Sequence, residues 1–290
     1  MSAKILVTGA TGNFGKKTIE LLLEKGIAAT NISALVRDDV KATDLKDKGI
    51  TIKTGDYDNY ESLLAAFQGI DKLLLVSGTD LENRSKQQLN VVKAAKESGV
   101  KHIIYTSFER INETETSPIA FLAKSHIDTD NAIKASGMNY TILRNNLYLD
   151  VLPMFLGEQV LESGIYFPAG EGQAAYVSRN DLAEVAANVL TSEGHENKEY
   201  KMNNIENYSM KKIAETLSEI TNKTVSYFSP TSEEYKETLK NAGVPNEYID
   251  MFIGFAEAIK QGHFKTTDLE KLLGRKPTSL SDFLKQVYLK

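Results

Sequence analysis

The sequence predicts an α/β fold, a doubly wound parallel sheet with a smaller α+β lobe toward the C-terminus. Three observations predict it. Short apolar runs alternate with amphipathic helical segments through the first half of the chain. The runs are apolar throughout, as strands are when both faces of a sheet are covered. A turn with glycines at positions 9, 12 and 15 follows the first run and opens the first helix. Right-handed crossovers between such strands give a doubly wound sheet.

The elements follow in order. Residues 5–7 are the first expected strand. Residues 16–24 are the first helix, with Ile19, Leu22 and Leu23 on one face. Residues 32–36 form the second strand, 42–48 a short helix and 50–53 the third strand. Residues 60–67 form a helix with Leu63, Leu64 and Phe67 inward, and 73–76 the fourth strand. Residues 84–98 carry Leu89, Val92 and Ala95 at helical spacing, 103–106 form the fifth strand, 119–135 a helix and 140–143 the sixth strand. After Asn145 the pattern changes. Gly157, Gly164, Gly170 and Gly172, with Pro153 and Pro168, punctuate a loop-rich stretch. Helices are expected at 180–190, 210–220, 233–241, 247–260, 269–273 and 280–287, and strands at 200–202 and 225–228. Residues 1–149 with about 174–190 would form the sheet domain. Residues 150–173 and 191–290 would form the smaller lobe.

Composition narrows the function classes. The net charge is −5 with no long basic block, which argues against a nucleic-acid or anionic-membrane surface. There is no cysteine, so disulfides, thiolate zinc sites and cysteine nucleophiles are excluded. Redox chemistry would then need a bound cofactor. His102, His126, His195 and His263 are scattered without ligand spacing, and no metal site is expected. No secretory signal pattern stands at the N-terminus, and the longest apolar runs are too short to span a bilayer. A cytoplasmic location is the expectation.

The segment Ile5-Leu6-Val7-Thr8-Gly9-Ala10-Thr11-Gly12-Asn13-Phe14-Gly15 spaces its glycines as G-x-x-G-x-x-G. Gly9 permits a tight turn off the strand. Gly12 lets the backbone approach a pyrophosphate, and Gly15 lets the helix pack closely. The helix N-terminus offers free N–H groups and a partial positive charge to phosphates. A Rossmann-like dinucleotide site is therefore expected, with Gly9, Ala10, Thr11, Gly12, Asn13, Phe14 and Gly15 lining it. The second strand runs into Arg37-Asp38. An arginine there suits the 2′-phosphate of NADP, whereas an acid suits the ribose hydroxyl of NAD. Arg37 puts NADP(H) ahead of NAD(H), and Asp38 keeps NAD(H) open.

Further segments extend the pattern: Gly55-Asp56-Tyr57-Asp58, Lys72-Leu73-Leu74-Leu75-Val76-Ser77, Tyr105-Thr106-Ser107, Leu143-Arg144-Asn145, Ser178-Arg179-Asn180-Asp181 and Lys271-Leu272-Leu273-Gly274-Arg275. Together with the glycine turn, they resemble the NmrA-like branch of the atypical short-chain dehydrogenase/reductases. Within that branch the likeness is greatest to bacterial NAD(P)H:quinone oxidoreductases of type 2. The resemblance implies NADPH binding and quinone reduction. It places residues 9–14 around the pyrophosphate, Arg37 at the adenosine phosphate, and Asp56 and Tyr57 beside the adenine. It places Val76, Ser77 and Gly78 under the riboses, and Arg144, Asn145 and Asn146 at the nicotinamide and substrate cleft.

Typical short-chain dehydrogenases carry a Tyr-x-x-x-Lys proton-donating pair in the fifth helix. Here that region has no tyrosine. Tyr208 and Lys212 have the spacing but lie far along the chain, and we read them as coincidental. His126 and Asn145 are left as candidate catalytic residues. His126 can exchange a proton near neutrality, contact the nicotinamide ribose, or simply be structural. Lys124 is expected to be solvated, and Tyr148 to line the substrate pocket or the core. The missing pair bears on the acceptor. A reduced aliphatic ketone is an alkoxide that needs a positioned acid. A reduced quinone oxygen has a pKa of about 10 and can take its proton from water. Hydride transfer to a quinone then depends on proximity and orientation. Two alternatives stay open, a non-catalytic NADP(H)-sensing regulator and a carbonyl or imine reductase. Tyr248, Met251, Phe252 and Phe255 share a helical spacing that suits a core face, a lid or a homodimer contact.

Overall fold

The computed structural model describes residues 3–264 and 269–289. The expected domain limits at residues 1 and 290, and the piece 265–268 of the expected lobe, lie outside the described residues. The first half holds β1 (Ile5–Val7), α1 (Asn13–Glu24), β2 (Ile32–Val36), α2 (Thr43–Asp47), β3 (Thr51–Thr54), α3 (Tyr60–Phe67), β4 (Lys72–Leu75), α4 (Arg84–Glu97), β5 (His102–Phe108), α5 (Ala120–Ala135) and β6 (Asn139–Asn145). The remainder holds α6 (Leu152–Leu156), α7 (Val160–Ser163), β7 (Ile165–Tyr166), β8 (Gln173–Ala174), α8 (Arg179–Thr191), β9 (Lys198–Met202), β10 (Tyr208–Ser209), α9 (Met210–Thr221), β11 (Tyr227–Phe228), α10 (Ser232–Asn241), α11 (Asn246–Lys260), α12 (Leu269–Leu273) and α13 (Leu280–Tyr288).

Seven parallel strands make the main sheet in the order β3-β2-β1-β4-β5-β6-β9. This is the Rossmann-like, doubly wound arrangement. Strand order reverses between β1 and β4, and ligand crevices open at the carboxyl ends of strands at such a point. Side-chain alternation splits the core across the sheet. Ile5 and Val7 pack with Ile19, Leu22, Leu182 and Val185 of α1 and α8. Leu6 between them packs with Leu63, Phe67, Val91 and Val92 of α3 and α4.

Four features differ from the sequence expectation. The inward face of α4 is Gln88, Val91, Val92 and Ala95, and Leu89 is 38% exposed. A buried polar side chain at position 88 hid the true stripe. The sheet also gains β9, from a stretch expected to lie wholly in the smaller lobe. β9 is an edge strand whose Lys198, Glu199 and Lys201 are exposed, so only its end at 200–202 was expected and its pairing with the sheet was not. Leu269 and Leu273 of α12 likewise pack with the α1–α8 face rather than with the lobe.

The other C-terminal elements enclose a separate apolar cluster that includes Leu152, Phe155, Phe167, Leu217, Phe252, Phe264 and Leu284. Two small sheets brace it. β10 pairs antiparallel with β8, and β11 pairs parallel with β7. Strands of two residues are too short to leave a sequence pattern, which is why the expected strand at 225–228 shrinks to β11. Gly164, at φ +77°, ends α7 beside β11. A Cβ there would lie 2.7 Å from the Ser226 carbonyl oxygen. No helix among the described residues is long and apolar enough to cross a membrane. No group of three potential metal-ligating side chains converges among them.

Candidate active site

The glycine turn is built as its spacing predicts, with one refinement. Gly9 takes φ +58°, a conformation that side chains resist. Gly12 is the N-cap of α1 and donates its N–H to the Gly9 carbonyl at 2.9 Å. A Cβ on Gly15 would stand 2.4 Å from the Gly9 oxygen and 3.0 Å from that of Thr8. The close approach is therefore between α1 and the turn itself. Gly9, Thr11, Gly12 and Asn13 are exposed, while Ala10, Phe14 and Gly15 are buried beneath them. No side chain caps α1 and no acid stands in its first turn. The free N–H groups thus face outward as an uncompensated anion cradle.

Beside this cradle, β2 delivers Arg37 to the surface, exposed and with no side-chain partner among the described residues. Asp38 is already engaged. Its carboxylate accepts the Val40 N–H at 3.0 Å and caps the short turn that follows. The acid that competes with the arginine reading is thereby held as a backbone cap. Asp56 is half-buried, and its Oδ1 accepts the Asp58 N–H at 3.0 Å. The Tyr57 side chain reaches inward, donating its hydroxyl proton toward Thr8 Oγ1 at 2.5 Å, with the Val76 carbonyl at 3.2 Å. Thr8 Oγ1 also accepts the Val76 N–H at 2.9 Å. Tyr57 therefore ties the ends of β1 and β4 together under the turn.

Val76, Ser77 and Gly78 continue from β4 along the crevice, all half-buried. The Ser77 N–H donates to Thr106 Oγ1 at 2.8 Å and the Gly78 N–H to Gln88 Oε1 at 3.2 Å. His126, on α5, is 3% exposed and stacks on Phe108 with ring centroids 5.9 Å apart. Its Nδ1 lies 2.7 Å from the Tyr105 hydroxyl. Burial, reinforced by Arg84 and Arg110, holds its pKa well below the usual histidine value, so it is neutral at pH 7.

The end of β6 and the residues after it divide into different tasks. Asn145 is 1% exposed. Its Nδ2 donates to the Tyr148 hydroxyl at 3.2 Å, and its Oδ1 is buried without a hydrogen-bond partner among the described residues. Asn146 is fully used. Its Nδ2 donates to Asn203 Oδ1 at 2.9 Å and its Oδ1 accepts the Leu147 N–H. Arg144, one residue before Asn145, points from the opposite face of β6. It pairs with Glu199 of β9 at 2.8 Å and with Glu113 at 3.6 Å. Its contacts are those of an edge clamp, not of a crevice residue. Tyr148 is half-buried, with the Arg179 guanidinium 5.1 Å over its ring. Lys124 is solvated and pairs with Asp128. The Tyr208 hydroxyl donates to Glu206, and Lys212 pairs with Glu215, so these two residues make no catalytic pair.

Sequence reasoning missed Arg84, Gln88 and Tyr105. Arg84 is 4% exposed with no carboxylate partner among the described residues. Nε donates to Ser125 Oγ at 2.8 Å, Nη2 to the Leu122 carbonyl at 3.0 Å and Nη1 to the Gly78 carbonyl at 3.4 Å. It also missed the ion pair of Arg110 with Asp130, which fastens α5 to the segment after β5 at 2.7 Å. These contacts bridge elements far apart in sequence. The one legible signal was the polar residue at position 88 on an otherwise apolar helix face.

A glycine cradle that side chains would fill, an uncapped helix N-terminus, an unpaired arginine and an orphaned buried amide oxygen line the strand ends around one switch point. These residues fit a dinucleotide. Residues 1–285 match the NmrA-like family. The chain belongs to the NmrA-like family. Among its relatives is quinone oxidoreductase 2 of Escherichia coli, 36% identical over 98% of each chain. Another is the NAD(P)H azoreductase of Xenophilus azovorans, 30% identical over 85% of this chain and 84% of that one. The structure of Citrobacter sp. triphenylmethane reductase complexed with NADP(H) superposes with a TM-score of 0.90 at 40% identity, covering 97% of this chain and 99% of that one.

Proposed function

We propose that the chain is a cytoplasmic NADPH-dependent reductase that passes hydride to a flat, quinone-like acceptor. The observation that carries the acceptor class is the proton-poor character of the crevice. His126 is held neutral, and burial pushes the Tyr105 and Tyr148 hydroxyls above the usual tyrosine value. None of these three groups releases a proton readily at pH 7, and a quinone-derived oxygen of pKa about 10 needs none from the protein. The relatives named for quinone, azo and triphenylmethane compounds support the same acceptor class.

The chain's own residues divide the work. The N–H groups at residues 13–15 would hold the pyrophosphate, and Arg37 the 2′-phosphate. The backbone at Ser77 and Gly78 would border the riboses. The cofactor supplies the hydride when bound. Asn145, with a free amide oxygen, and His126, with Phe108 against it, would orient the reacting rings and keep the face dry. The rate enhancement then comes from proximity and orientation rather than from general acid catalysis.

The test is oxidation of NADPH, followed by its absorbance, with a panel of simple quinones. Turnover above the uncatalysed rate is expected. Tight NADPH binding without turnover would instead establish a sensor. Turnover confined to ketones or imines would establish a carbonyl or imine reductase. Arg37→Ala is expected to weaken NADPH binding about 10- to 100-fold, the worth of one or two charge-assisted hydrogen bonds. NADH affinity should barely change. If NADPH affinity holds while NADH affinity falls, the phosphate assignment is wrong.

A further inference from the structure

Four groups join the crevice loop to the buried histidine, and one of them leaves no choice of role. The Gly78 backbone N–H can only donate. It meets Gln88 Oε1 at 3.2 Å and so fixes which end of the Gln88 amide is oxygen. Gln88 Nε2 then donates twice, to Thr129 Oγ1 at 2.8 Å and to the Tyr105 hydroxyl oxygen at 3.0 Å. Thr129 cannot reverse its part, because its own proton goes to the Ser125 carbonyl at 2.7 Å. The Tyr105 oxygen accepts from Gln88 and keeps one proton. That proton points to His126 Nδ1, 2.7 Å away. A bare Nδ1 then gives every donor in the chain an acceptor.

We propose that Tyr105 and Gln88 are positioning residues that lock the His126 imidazole with its proton on Nε2, which makes His126 a hydrogen-bond donor to the bound ligands and not a base. All four residues of the chain from Gln88 to His126, counting Thr129, are buried. The alternative Nδ1–H tautomer would set two donors against the Tyr105 oxygen and turn the tyrosine proton toward Thr129 Oγ1, which already accepts from Gln88 and donates to the Ser125 carbonyl. Phe108, stacked on the imidazole, holds the ring plane while the tyrosine fixes its protons. The relay also gives the crevice loop a stake in the histidine, because the first donor in the chain is the Gly78 backbone itself.

The role of the Nε2 proton rests on the proposed reductase site, but the tautomer does not and can be read in the ligand-free protein. Long-range 1H–15N spectra of protein labelled at histidine distinguish bare from protonated ring nitrogens, with a His126→Gln variant assigning the signal. The expected result is a bare Nδ1 and a protonated Nε2, unchanged from pH 6 to pH 8. A protonated Nδ1 or an imidazolium in that range overturns the proposal. Tyr105→Phe keeps the ring and removes the proton donor. It should shift the His126 nitrogens toward a tautomer mixture and lower kcat about tenfold, the worth of one hydrogen bond, with KM for NADPH unchanged. Unchanged nitrogen signals in that variant also overturn the proposal. Gln88→Leu should move the same signals, so the test survives if one variant fails to fold. The expected tautomer without turnover on any acceptor would uphold the lock and overturn the reductase reading instead.

Discussion

Gly15→Ala is expected to abolish high-affinity dinucleotide binding and to cost the fold about 1–3 kcal/mol, the usual penalty for overpacking. A Cβ at this position would stand 2.4 Å from the Gly9 oxygen, 2.8 Å from the Gly9 carbonyl carbon and 3.0 Å from the Thr8 oxygen. All three are backbone atoms, so no rotamer change can relieve the clash. Either the turn or α1 must move, and either motion turns the N–H groups away from where a pyrophosphate would rest. Gly12→Ala separates the two effects. Gly12 sits at φ −84°, and its added Cβ would meet only the Gly9 oxygen, at 3.3 Å. That variant should fold nearly as the parent yet bind NADPH poorly, because the methyl group occupies the approach to the cradle. Titration with NADPH and thermal unfolding of both variants check the pair. A Gly15→Ala protein that binds NADPH like the parent would sink the cradle assignment.

The contrast between these glycines and the rest of the site shows what the sequence can carry. A cradle made by missing side chains is local, because glycines three residues apart act on the same turn. Arg37 was legible for the same reason, since it follows directly from the end of β2. β9 was read only as a strand at 200–202 and not as part of the main sheet, because an edge strand of lysine and glutamate has no apolar run. Arg144 and Asn146 were misplaced in emphasis. Sequence puts them beside Asn145, but alternation along β6 and the Asn203 hydrogen bond send them to structural tasks. His126 was visible as a residue type, whereas its chemistry was not. Neutrality and tautomer depend on Tyr105, Gln88 and Arg84, which meet it only across packed elements.

Asp130→Ala is expected to be the most destabilising single change near the site, at about 3–5 kcal/mol. Asp130 Oδ2 accepts from Arg110 Nη2 at 2.7 Å and from Ser107 Oγ at 3.1 Å, and both charged side chains are 1% exposed. Burial pushes the Asp130 carboxyl above the usual range, and the Arg110 guanidinium offsets only part of that push. The pair thus holds little net stability, although either charge alone is expensive. Removing the carboxylate strands the guanidinium in a dry site, with the Phe108 carbonyl at 2.7 Å, Ser107 Oγ at 3.3 Å and Glu113 at 3.2 Å as its remaining anchors. The double variant Arg110→Met, Asp130→Ala removes both charges and should recover much of the loss. Its destabilisation should fall clearly below the sum of the two single changes. Denaturant unfolding of the three proteins measures this, and additive losses would refute the account. The consequence reaches catalysis through α5. Asp130 lies one helical turn beyond His126, and the pair fastens that helix to the end of β5, where Phe108 stacks on the imidazole. In the double variant, NADPH affinity should hold because residues 9–15 and Arg37 are untouched, while kcat falls as the His126 ring loses its fixed position.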